Sequence, residues 1–115
     1  MRRGKDAPAG TGATEGPEKD LHNEILEDCQ KNRYVAFHGS TAHKTKRTLG
    51  EPDFVILLPK GKILFLECKS ATGKMSTVQL GMKAWMEMLG HTLHIIRSMI
   101  DYQKAVLDTI TEKIE

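Results

Sequence analysis

Asp53, Glu67 and Lys69 are the residues of this chain whose types and spacing could do chemistry. Phe54 to Leu58 is an apolar run that ends in Pro59-Lys60-Gly61, and a second apolar run follows from Lys62 to Lys69. The pattern reads as a β-hairpin whose turn uses a glycine free to take positive φ. With those three residues as the loop, position 58 faces 62, and antiparallel counting brings Asp53 opposite Glu67. Side chains alternate along a strand, so Glu67 and Lys69 share one side while Leu64, Leu66 and Cys68 take the other. Two carboxylates and one ammonium therefore meet at one end of an otherwise hydrophobic hairpin. Carboxylates held together out of water repel each other and lose hydration. A divalent cation relieves both penalties, and oxygen ligands of this kind suit Mg²⁺ or Mn²⁺. A Glu-x-Lys strand by itself is more often a cross-strand ion pair; Pro52-Asp53, fourteen positions ahead of Glu67, shifts the reading to a functional site.

The ordered set Gly50-x-Pro52-Asp53…Glu67-x-Lys69 resembles the PD-(D/E)XK nuclease signature. Gly73-Lys74-x-Ser76-x-x-Gln79 and Leu89-Gly90-His91 resemble its VRR-NUC (virus-type replication-repair nuclease) branch, of the small stand-alone bacterial or phage type. The resemblance spans about positions 18 to 97. It implies Mg²⁺-dependent hydrolysis of DNA phosphodiesters, with Mn²⁺ able to substitute, leaving 5′-phosphate and 3′-hydroxyl ends. Asp53 and Glu67 would hold one or two such ions, joined by the main-chain carbonyl of Cys68 and an acidic residue of the first helix. Gln79 would position water, metal or phosphate, and Lys69 would orient the nucleophile or neutralise developing charge. Small relatives look like Holliday-junction resolvases, and two symmetric cuts by one-site chains would require a C₂ homodimer. A sequence-specific restriction or nicking endonuclease on the same fold, and a non-catalytic DNA-binding module, stay open as alternatives.

The elements that must position these groups are legible in order. Residues 1–16, rich in Gly, Ala, Thr and charge, read as a flexible tail, and 17–115 as the nuclease-type domain. Pro17-Glu18 opens a helix running to about Lys31, with acidic residues complementing its dipole. At about 100° per residue, Leu21, Ile25 and Cys29 form its buried face, and Glu18 falls in the middle of that face. Glu18 rather than Glu24 is thus the first-helix carboxylate expected at the metal. His22, one turn on and on the same face, is expected as a hydrogen-bonding neighbour rather than a ligand. Tyr34 to His38 reads as a strand, Ser76 as the N-cap of a helix closing at Gly90, His91 to Arg97 as a strand, and Tyr102 to Ile114 as an amphipathic helix. The Met and Trp residues of the helix after Ser76 are expected to pack on the sheet. His91-x-x-His94 does not suggest zinc, because residues three apart on a strand point to opposite sides. The order is α-β-β-β-α-β-α: an α/β chain with a mixed sheet flanked by helices.

Composition sets the limits. The chain has 115 residues, 39% hydrophobic and 28% charged, enough for one core. No apolar run approaches the ~18 residues of a membrane span, and the N-terminal Arg2, Arg3 and Lys5 lack the apolar stretch of a secretory signal. Cys29 and Cys68 sit in apolar patterns and read as reduced core residues, which points to the cytoplasm. The net charge is only +2, yet Gln30 to Gly50 holds Lys31, Arg33, Lys44, Lys46 and Arg47 and no acid. Placed just before a carboxylate cluster, such a run suits phosphate, so Ser40, Lys44, Lys46, Arg47 and, further on, Lys74 are the expected DNA contacts.

Overall fold

The computed structural model describes residues 17–39 and 49–112. Helix α1 (Pro17–Asn32) leads into β1 (Val35–His38), β2 (Phe54–Leu57) and β3 (Ile63–Cys68), followed by α2 (Thr77–Met88), β4 (Leu93–Ile96) and α3 (Met99–Thr111). This is the element order expected from the sequence. The strands form one sheet in the order β1-β2-β3-β4. β1, β2 and β3 run antiparallel in succession, and β4 pairs parallel to β3 after the α2 crossover.

The hairpin forms as the alternation dictates. Pro59–Gly61 makes a tight 3₁₀ turn with positive φ at Lys60 and Gly61, and the Leu58 N–H donates to the Lys62 carbonyl at 2.9 Å. Phe54 pairs with Leu66, so one further step in the same register sets Asp53 against Glu67. Even-numbered positions Phe54, Ile56, Leu64, Leu66 and Cys68 are fully buried, together with Ile96. They pack with Leu21, Ile25 and Cys29 of α1 and with Tyr102 and Ala105 of α3. The Tyr102 hydroxyl donates to Asp28 Oδ2 at 2.7 Å and lies 3.7 Å from Cys29 Sγ, tying the two helices together across the core.

The opposite face is only partly covered. α2 packs against β4, and Leu93, in register with Phe65, is buried outside the main core. None of the α2 residues is fully buried; Trp85 is 58% exposed and Met88 85%. For Trp85 and Met88, which face outward, this corrects the expectation that the Met and Trp residues pack on the sheet, while Met82 and Met86 are half-buried. Val35, Phe37, Leu57 and Ile63 are exposed as well. α3 begins at Met99, three residues before the sequence suggests, because Ser98 Oγ accepts from the Asp101 N–H and caps it. Ile114 lies outside the described residues, as do residues 1–16. No described helix is long and apolar enough to cross a membrane.

Candidate metal and phosphodiester site

Gly50 starts the site. Its φ is +76°, and a Cβ there would come within 2.9 Å of the Val78 carbonyl oxygen, so only glycine lets this backbone pass α2. The chain then turns through Pro52 to Asp53, whose Oδ2 accepts the Cys68 N–H at 2.8 Å. One strand end thus fixes the carboxylate of the other.

Glu67 projects from the next position of β3 and is 2% exposed. Its Oε2 accepts from Gln79 Nε2 at 2.6 Å and lies 3.8 Å from Lys69 Nζ. Gln79 owes its aim to helix capping. Ser76 Oγ accepts the Gln79 N–H, and Gln79 Oε1 accepts the Ser76 N–H at 2.9 Å, a reciprocal capping box at the start of α2. With its oxygen engaged by that donor, the amide can present only its NH₂ to Glu67. Arg97 holds the intervening loop, its Nη1 donating to the Ser70 and Gly73 carbonyls at 2.7 Å each. That guanidinium has at least this nitrogen committed to the fold.

Electrostatics mark the same place. Burial, then the neighbouring Asp53 carboxylate, pushes the Glu67 carboxyl up to about 7, only partly offset by Lys69. Its second oxygen, Oε1, is buried without a hydrogen-bond partner. An acid that is buried, crowded by another carboxylate and left with an open lone pair is what a cation site looks like before the cation. The donor set fits a hard divalent ion: carboxylate oxygens from Asp53 and Glu67, with the Cys68 backbone between them. The Cys68 thiol is a poor additional ligand, since burial and the adjacent carboxylates push it far above the ordinary thiol range and keep it protonated.

The remaining expected residues fall out as follows. Glu18 is exposed in the first turn of α1, not buried, because that turn runs past the covered core; its charge still reaches the site, raising both Glu67 and Cys68. Lys74 is exposed on the loop before α2. Ser40, Lys44, Lys46 and Arg47 lie outside the described residues. His91 sits ahead of β4 rather than on it, so it and His94 line one cavity with Asp108 and Glu112 instead of facing opposite ways. Among the described residues the metal-capable atoms that converge are elsewhere: His22, Asp53 and Cys68 each place one within 4.8 Å of the others. His22 lies at this strand end as a hydrogen-bonding neighbour, its Nδ1 3.1 Å from His38 Nε2; the helical wheel gives the direction of its side chain but not which strand end it meets.

Comparison with known proteins bears on the fold. No protein-family model matches the chain. It is 41% identical over 49 residues to p44 of Acyrthosiphon pisum secondary endosymbiont phage 1, a protein named provisionally as a nuclease. That match covers 43% of this chain and 53% of the phage protein, so the chain spans about half the length of this relative. A solved structure described as a VRR_NUC domain superposes with a TM-score of 0.64 at 19% identity, covering 86% of this chain and all of the other. The fold is that of a VRR_NUC domain.

Proposed function

We propose that this chain, with its VRR_NUC fold, is a metal-dependent DNA endonuclease that hydrolyses phosphodiester bonds, acting as a homodimer on branched DNA such as Holliday junctions. The observation that carries the reading is the buried Glu67 carboxylate, its Oε1 unpartnered, beside Asp53 and Lys69 at the end of the hairpin. The similarity to a phage protein named as a nuclease supports it.

Asp53 and Glu67, with Glu18 directly or through water and the Cys68 carbonyl, would hold Mg²⁺, for which Mn²⁺ would substitute. Bound there, a divalent cation supplies a lower pKa for water and charge stabilisation at phosphorus. The protein's own groups do the rest. The Cys68 N–H and the Gln79 amide fix the two carboxylates in place before substrate arrives. Lys69, 14% exposed and close to Glu67, orients the attacking water or offsets negative charge as it develops. Lys74 and the basic run containing Ser40, Lys44, Lys46 and Arg47 would draw the phosphate backbone toward this end of the sheet.

Two features favour a homodimer. One chain carries one such site, whereas resolving a four-way junction takes two symmetric cuts. The uncovered sheet face also exposes Val35, Phe37, Leu57 and Ile63, apolar side chains that a second copy would bury. The deciding experiment compares Mg²⁺-dependent cleavage of four-way junctions, flaps and plain duplex. Paired symmetric nicks in the junction are expected; cleavage confined to one sequence in linear duplex would replace this reading with a restriction-type enzyme.

A further inference from the structure

We infer that His22 is a nitrogen ligand of the cation site, and that the site consequently favours a divalent first-row transition-metal ion, of which Mn²⁺ is the test case, over Mg²⁺. The inference rests on the cation-site reading above and adds to it a donor that is not an oxygen.

His22 Nε2 lies 3.5 Å from Asp53 Oδ2, and it is buried without a hydrogen-bond partner. It and Glu67 Oε1 are the two buried side-chain atoms left unpartnered among the described residues. Both belong to side chains that reach this one strand end, and His22 acts electrostatically on Glu67. A buried ring nitrogen without a partner, 3.5 Å from a carboxylate oxygen, calls for something between them that satisfies both. Two ligand atoms at right angles about a cation, each about 2.1 Å from it, stand roughly 3 Å apart. The observed 3.5 Å is about half an ångström wider.

The imidazole is also held as a ligand imidazole is held. Its other nitrogen, Nδ1, lies 3.1 Å from His38 Nε2. The ring stands edge-on to both His38 and Phe54, with centroids 5.1 Å away in each case, and His38 stacks on Phe54 at 4.5 Å. Position 38 faces Phe54 across the β1–β2 ladder, one residue from Asp53, so the support and the carboxylate share a strand end. A ligating histidine typically donates its second N–H to a fixed neighbour, which sets its tautomer. With the proton on Nδ1 and pointed at His38, Nε2 carries a bare lone pair toward the Asp53 carboxylate. That is repulsive with nothing between them and favourable with a cation there. An imidazole in the donor set raises affinity for Mn²⁺ relative to Mg²⁺, which keeps to oxygen and water.

The test uses the full chain without a histidine tag. Mn²⁺ is bound, pulsed electron-spin resonance is used to look for a directly coordinated ¹⁴N, and Mn²⁺ and Mg²⁺ affinities are measured by titration. Wild type should show the nitrogen coupling. His22→Ala should lose it while retaining a cooperative thermal unfolding transition, and should bind Mn²⁺ at least about tenfold more weakly, with Mg²⁺ affinity changed much less. Mn²⁺ binding that Asp53→Ala abolishes but that shows no nitrogen coupling would overturn the His22 assignment and leave the cation site standing. Coupling that persists in His22→Ala would also overturn it. Absence of any Mn²⁺ or Mg²⁺ binding in wild type would overturn both readings.

Discussion

The two faces of β3 differ more than any other pair of regions in the molecule. Leu64, Leu66 and Cys68 point into a closed core between the sheet and helices α1 and α3, each 1% exposed or less. Ile63, Phe65 and Glu67 alternate with them toward the face that α2 overlaps, and there the strand passes from an exposed Ile63 to a buried carboxylate whose Oε1 has no hydrogen-bond partner. Six residues of one strand thus serve as wall on one side and as workplace on the other. A charged cluster of this kind cannot sit in the closed core without neutralising itself. At the end of the half-open face it stays near solvent and substrate while the closed face fixes its backbone.

The difference is sharpest in variants. Asp53→Ala or Glu67→Ala should lower Mg²⁺-dependent cleavage about a thousandfold or more, since metal charge stabilisation is worth several kcal/mol and ~1.36 kcal/mol is tenfold in rate. Both should keep a folded circular-dichroism spectrum; activity near wild type would remove the metal mechanism. Leu66→Ala, one position away on the closed face, should reverse the pattern, with about 2–5 kcal/mol lost in denaturant unfolding from cavity formation.

Glu67 also ties stability to pH. Its carboxyl is raised from 4.5 to about 7 in the fold, so the native state holds a proton that the unfolded chain has released over that window. The cation-free protein should therefore be most stable below pH 4.5 with respect to this group, and should lose up to about 3 kcal/mol as pH rises through 7. Mn²⁺ or Mg²⁺ should restore the loss at pH 8, and Glu67→Gln should flatten the profile. Unfolding curves at pH 5, 6, 7 and 8 with and without cation measure this.

Gln79→Ala should cost activity about tenfold by releasing Glu67, and about 1 kcal/mol of stability through the broken cap. The smallest effect on the fold belongs to the open face. Phe37→Ser should change monomer stability by less than about 0.5 kcal/mol, yet shift the sedimenting species from dimer to monomer and abolish paired nicking of junctions. A wild-type chain that already sediments as a monomer would remove the proposed dimer, and a dimer that survives the substitution would remove this face as its contact.

Much of this was legible in the residues because short-range rules decide it. The hairpin register followed from apolar alternation and the Pro-Lys-Gly turn, and with it the meeting of Asp53 and Glu67. The role of Ser76 as N-cap followed from its place before a helical pattern, though that the same box would aim Gln79 at Glu67 did not. What stayed hidden depends on packing at a distance. The apolar period of α2 announces an amphipathic helix but not how little sheet lies beneath it, so Trp85 and Met88 were misplaced inside. The sequence pattern marks Tyr102 as the start of a helix but not as the bolt between α1 and α3, although Ser98-x-x-Asp101 carries a capping signal for the earlier start. His22 was placed on the correct face, but its convergence with Asp53 and His38 is a tertiary fact.

The most direct test of the central claim is anomalous diffraction from crystals soaked in Mn²⁺. The account predicts a strong peak within ligand distance of Asp53 and Glu67, with Glu67 Oε1 turned onto it. A peak located away from both carboxylates, or Glu67 Oε1 found bonded to a protein donor with no ion beside it, would contradict it.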